Sequence, residues 1–116
     1  MKQERYCQFH PALYVGTRVK HVSAVKRKLT HGAGMLSIYL IVQAPEREDA
    51  LAIIHAGFLQ QRYYETHPLT VYGIAAGYGE AQELLVRISD EACAAGMPGA
   101  LKAYLDSRTD RKERDA

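Results

Sequence analysis

The sequence has no tryptophan, two cysteines, four prolines and no apolar run long enough to cross a bilayer. Two cysteines, Cys7 and Cys93, are too few for a disulfide framework, so both are expected as free thiols, with Cys93 packed on a helix. The longest apolar stretch, around residues 35–42, is strand-sized, whereas a spanning helix needs about 20 apolar residues. Residues 1–10, MKQERYCQFH, hold no apolar segment of the secretory kind, and the expectation is a cytoplasmic protein without membrane contact. The chain has no G-K-[ST] element, and glycines 73, 77 and 79 do not form the dinucleotide-binding fingerprint. Cys7 and His10 make a C-x-x-H pair, but no second ligand pair follows, and the histidines at 21, 31, 55 and 67 are scattered. No metal is expected. No serine or cysteine sits in an elbow motif beside a histidine. We therefore expect no catalytic residues and no cofactor, and an enzyme is the less favoured reading.

What is present describes an ordinary globular chain: 116 residues, 47% hydrophobic and 24% charged. This fits one domain, residues 1–105, with a polar tail over 106–116 whose composition predicts a loose, unfolded segment. The net charge of +2 conceals an uneven layout. Residues 1–31 carry seven basic residues against Glu4 alone, and residues 32–107 carry four basic against nine acidic. A basic end on an acidic body suggests self-association or an anionic partner.

Hydrophobic periodicity places the elements. Pro11 precedes a short strand over 12–15. Val19, Val22, Val25 and Leu29 recur on one helical face, with Thr17 as the cap and Gly32 as the stop. Residues 36–43, LSIYLIVQ, fill both faces of a strand, which implies helices packed over the sheet. Leu51, Ile54 and Phe58 have helical spacing, and acidic residues at 46, 48 and 49 suit a helix start, so a long helix is expected from Asp49 to about residue 67. Residues 69–76, LTVYGIAA, form the next strand. A helix over 80–95 follows, carrying a Glu83–Arg87 pair at i, i+4. Pro98 opens a short last helix with Leu101, Tyr104 and Leu105 as its contacts.

Strand, long helix and strand over 36–76 make a β-α-β unit, whose two strands run parallel if the crossover is of the usual kind. The fold expected is α/β: a two- or three-layer βαβαβα domain with a largely parallel three-stranded sheet. A β-meander or ferredoxin-like α+β arrangement is the alternative. In an open parallel sheet, ligands sit beyond the carboxyl ends of the strands. That would bring Gln43 beside Ala76, Gly77, Tyr78 and Gly79, with His67 at the opposite end. Backbone N–H groups of such a glycine turn can hold an anion, though Glu80 in the first helical turn opposes one.

Two surfaces stand out besides that turn. Gln60, Arg62, Tyr63 and Tyr64 are residue types that make rigid contacts with a protein partner. Arg18, Lys20, Lys26, Arg27 and Lys28 form a basic face suited to phosphates, although no aromatic residue interleaves with them in sequence. The favoured expectation is a small non-enzymatic interaction or regulatory protein working through residues 60–64. A nucleic-acid binder using the basic helix, and a binder or enzyme for a small anionic ligand at 77–79, are the alternatives. Exposed sheet edges together with the split charge predict a homodimer.

Overall fold

The structure, a computed structural model, describes residues 6–32, 35, 37–45, 47 and 49–115, with side chains through Arg108. Leu36, expected to open a strand, and Glu46 and Glu48, expected to begin a helix, lie outside the described residues, as do Lys2, Glu4 and Arg5 of the basic end. The elements are β1 (Cys7–Val15), α1 (Val22–Thr30), β2 (Ile38–Gln43), β3 (Leu51–His55), a 3-10 helix (Ala56–Gln60), α2 (Tyr63–Thr66), β4 (Leu69–Ala76), α3 (Tyr78–Ala94) and α4 (Leu101–Asp115). The molecule is of the mixed α and β class, with a four-stranded mixed sheet of order β1-β4-β2-β3.

The expected β-α-β unit is corrected in two ways. The stretch read as a long helix from Asp49 is a strand, a 3-10 helix and a single α turn. Pro45 and Asp49 mark a turn, across which the Ala44 N–H bonds to the Ala50 carbonyl at 2.8 Å. β3 then pairs back on β2, antiparallel. Ile53 and Ile54 are β-branched and suit the pleat, and Gly57 weakens any helix drawn through it. The Gly57 N–H instead bonds to Nδ1 of His55, at 3.0 Å. Secondly, β2 and β4 are neighbours but run antiparallel; only β1 and β4 pair in parallel. The sheet is therefore not largely parallel. The element order through β4, β-α-β-β-α-β, is that of the ferredoxin-like alternative, but the parallel β1–β4 pair makes this sheet mixed.

Alternation along the strands builds a core on each face. On one face Ile38, Leu40 and Val42 of β2 and Val71 and Ile74 of β4 meet Val25 and Leu29 of α1, with Ala56 and Leu59 from the segment after β3. On the other, Ile41, Tyr72 and Ala75 meet Ala81, Leu84, Ile88 and Ala92 of α3 and Tyr104 and Leu105 of α4. The register of β4 shifts by one residue near Gly73, which lies opposite both Tyr14 and Ile41. A Cβ on Gly73 would lie 2.9 Å from Cδ1 of Ile41, so the space a side chain would take at this glycine is filled by that isoleucine. β1 breaks register between Phe9 and Tyr14, around Pro11, which cannot donate to a ladder and is tolerated on an edge strand.

Smaller boundary differences follow from packing. Val19 is buried but precedes α1, in a turn closed by its N–H on the Gly16 carbonyl, so Thr17 does not cap the helix. Cys7, not Cys93, is the buried thiol; Cys93 is exposed. α4 runs past Leu105, and the polar segment from Asp106 onward continues it through Asp115.

Candidate functional site

The strand directions decide what the expected ligand mouth contains. Ile38 lies opposite Ala76 and the Gly77 N–H bonds to the Ser37 carbonyl at 2.7 Å, so the glycine turn sits where β2 begins. Gln43 is at the other end of β2, opposite Leu51. Gln43 and the group Gly77, Tyr78 and Gly79 are thus a strand's length apart. His67 does lie away from the glycine turn, just before β4 starts. Tyr78 is exposed, with its ring edge-on to Tyr39, which is in turn edge-on to His55. The carboxylate at this end is the chain's own. Glu80, only 4% exposed, accepts from the Ala76 N–H at 2.8 Å and the Arg18 N–H at 2.9 Å. Gly16 makes room for it, because a Cβ there would lie 2.0 Å from a Glu80 oxygen.

On the α3/α4 face, polar side chains form a closed network. Glu91 accepts from the hydroxyls of Tyr14 and Tyr104 on one oxygen and from Nε of Arg87, at 3.0 Å, on the other. Arg108 donates to the Tyr14 hydroxyl and lies 3.8 Å from Glu91. The guanidinium groups of Arg87 and Arg108 lie over the Tyr14 ring, at 5.4 and 5.0 Å from its centroid. The i, i+4 partner of Arg87 is therefore Glu91, not Glu83. Beside this network, His10 holds Asp106 through Nε2 at 2.8 Å while its Nδ1 accepts the Ala12 N–H. With Nδ1 accepting, Nε2 is the nitrogen that faces the Asp106 carboxylate. Lys102 takes the second oxygen of Asp106 at 3.2 Å.

The titration behaviour follows from these contacts. Burial and the hydrogen bond to Glu91 hold the Tyr14 hydroxyl well above the usual tyrosine range. Desolvation alone would raise Glu91, but hydrogen bonds from Tyr14, Arg87 and Tyr104 outweigh it and hold the carboxyl low. Asp106 is held low in the same way by His10 and Lys102. Burial raises Tyr72. A network whose acceptors are filled by its own donors binds α4 to β1 and α3. Sequence reasoning missed it, because Tyr14 is 77 residues from Glu91 and 94 from Arg108.

The α1 face is built differently. Residues 17–32 contain no acidic residue, and residues 56–67 only Glu65. Val25 and Leu29 pin α1 to the sheet, which leaves Arg18, Lys20, Arg27 and Lys28 exposed and Lys26 half-buried, 5.1 Å from the centre of the Phe9 ring. Among the described residues, none of these five cations, nor Arg62, has a carboxylate partner. Of the residues expected to capture a partner, Gln60 and Arg62 are exposed, and Tyr63 is 61% exposed. Tyr64 instead packs against the core, and its carbonyl accepts the Tyr6 N–H at 2.9 Å. The Tyr63 ring stacks on His67 at 4.3 Å and 4°, and His67 is fixed by the Tyr63 carbonyl and Thr66. Phe58 adds a second aromatic side chain, 49% exposed. Tyr6 joins the two segments: its backbone bonds to Tyr64 and its ring lies against Gly32, just past α1. Basic and aromatic groups separated in sequence are thereby brought to one side of the sheet.

Cys7 belongs to the α1-side core, whereas the His10 ring packs on Tyr72, a residue of the opposite core. The C-x-x-H pair is split between the two faces. Among the described residues, no three His, Cys, Asp or Glu side chains converge as a metal site, and no helix is long and apolar enough to cross a membrane. No protein-family model, no curated protein and no solved structure matches the chain.

Proposed function

We propose that this chain is a non-catalytic binding protein whose partner is a single-stranded nucleic acid, held against α1 and residues 56–67. The observation that carries the reading is the set of five cations without carboxylate partners among the described residues, on the same side of the sheet as an exposed, stacked aromatic pair. A phosphate backbone supplies the missing counter-charge, and bases have flat faces to lay on Tyr63. The assignment merges two surfaces that look separate in sequence, residues 60–64 and the basic helix. A protein partner at residues 60–64 is the competing reading.

The test is fluorescence anisotropy of a labelled single-stranded oligonucleotide across a salt series, with a duplex and an acidic peptide as competitors. Affinity is expected to fall steeply with salt. Replacing Lys26, Arg27 and Lys28 by alanine should weaken binding and flatten the logarithmic salt slope by about 2, since each single-strand phosphate contact contributes about 0.7. Tyr63→Ala should weaken binding with little change in slope. Absence of binding at low salt overturns the reading. Capture of the acidic peptide in preference to the oligonucleotide makes the partner a protein.

A further inference from the structure

Tyr63 and His67 stand four residues apart across the single turn of α2, a spacing that puts two side chains on one face of a helix. Pro68 follows, and a residue before proline is pushed out of the helical region. His67 accordingly ends the turn, with φ −127° and ψ 73°, while its N–H still bonds to the Tyr63 carbonyl at 3.1 Å. Its Nδ1 lies 3.1 Å from that carbonyl and 3.0 Å from the Thr66 hydroxyl. These contacts hold the imidazole flat against one face of the Tyr63 ring, with ring centres 4.3 Å apart and planes 4° from parallel. The Tyr64 ring meets Tyr63 at 84°, and Tyr64 is itself packed on the core. Tyr63 is thus fixed by two neighbouring rings while 61% of it meets solvent. A ring covered on both faces would show solvent only its rim, so the face opposite His67 is open.

We propose that His67 is a positioning residue that holds Tyr63 as a one-faced stacking pad, and that this pad selects a purine over a pyrimidine, a preference that rests on the single-stranded nucleic-acid reading of this surface. Stacking grows with the area of overlap. A fused two-ring purine covers the phenol ring, and a one-ring pyrimidine covers less of it. The pad needs no ordering when the base arrives, because His67 has already fixed its plane. Without the imidazole behind it, the Tyr63 side chain must be ordered by each base that lands on it. Arg62, exposed and next in the chain, supplies positive charge near the pad, and that charge does not tell one base from another.

The probe is a labelled strand of abasic units carrying one central base: adenine, thymine or none. All three strands bear the same phosphates, so they share one salt slope and differ only through stacking. The adenine strand should bind on the order of tenfold tighter than the baseless one, with thymine between them. His67→Ala should shrink the adenine increment, leaving the affinity for the baseless strand, its salt slope and the circular dichroism spectrum unchanged. His67→Phe keeps a flat ring behind Tyr63 and should restore the increment. Should His67→Ala fail to fold, His67→Phe and the base series in the unsubstituted protein still decide the matter. An adenine strand that binds no tighter than the thymine strand overturns the proposal and leaves the nucleic-acid reading standing. Absence of binding to every strand, an ordinary one with all its bases included, overturns both. An adenine increment that survives in His67→Ala, or a folded His67→Phe that lacks it, overturns the proposal. So does a loss in His67→Ala that falls equally on the baseless strand, because that is a structural effect.

Discussion

On the α3/α4 face of the sheet, Arg87, Lys102 and Arg108 stand 3.0, 3.2 and 3.8 Å from carboxylate oxygens, and those carboxylates also accept from Tyr14, Tyr104 and His10. On the α1 face, Arg18, Lys20, Lys26, Arg27 and Lys28 have no such partner among the described residues. The first arrangement uses charge to hold α4 in place. The second leaves like charges side by side, which weakly opposes folding and creates a field at the surface. Stability does not require that field, so its use is sought in binding. The contrast predicts that substitutions on the two sides act on different measurements.

The largest loss of stability is expected at the residue joining the two sides. Glu80 satisfies the Arg18 N–H, on the way into α1, and the Ala76 N–H, at the end of β4. Glu80→Ala leaves both donors without their acceptor in a buried place, and should cost about 3 kcal/mol, given about 1–3 kcal/mol for each unsatisfied buried group. The readout is a lower urea midpoint at unchanged slope. Gly16→Ala should reproduce part of that loss by pushing the Glu80 carboxylate from its seat.

Glu91→Ala should come next, at about 2 kcal/mol, since four donors or cations converge on a carboxylate that solvent still partly screens. Oligonucleotide binding should be untouched. Loss of binding without loss of stability would mean that this side, too, faces a partner, and the contrast between the sides would fail.

The pH dependence sharpens the same point. Glu91 and Asp106 are held below their ordinary values in the folded protein, so their contribution is full above the unfolded carboxylate range and disappears as pH falls through the folded values. Tyr14 and Tyr72 are held above theirs, so their contribution is full below the ordinary tyrosine value and is lost as pH rises past it. Thermal unfolding temperature should therefore fall at both extremes. The acid limb should shrink in Glu91→Ala, and the alkaline limb in Tyr14→Phe. Variants of α1 should leave both limbs where they are.

The legible and illegible parts of this chain divide along physical lines. β4 and α3 lie where periodicity puts them, because eight and 17 residues are long enough for one period to prevail. The Leu51–His55 run is too short for that. Leu51, Ile54 and Phe58 fall at helical spacing by coincidence, while Leu51 and Ile53 pack on one face and Ile54 on the other, as a strand requires. Strand direction has no sequence signature, so the Gln43–Gly77 mouth, which depended on it, could not be secured in advance. The cations of α1 could be read directly from composition. Their aromatic neighbours could not, because Phe58 and Tyr63 reach that side only through the crossover from β3 to β4. The Glu91 network joins residues too far apart in sequence for any local pattern to reveal.

The smallest expected effect on stability is the most exacting test of the contrast. Arg18 and Lys20 are exposed, precede α1, and lie outside the last helical turn, where Arg27 and Lys28 gain from the helix dipole. Replacing Arg18 and Lys20 together by alanine should change unfolding free energy by less than about 0.5 kcal/mol, as for surface residues without partners. Removal of mutual repulsion could even give a small gain. The same pair should measurably weaken oligonucleotide binding at low salt and matter less as salt rises, because a screened cation contributes little. A clear stability loss would show that these side chains do structural work after all. The two sides of the sheet would then differ in the pairing of their charges but not in what those charges are for.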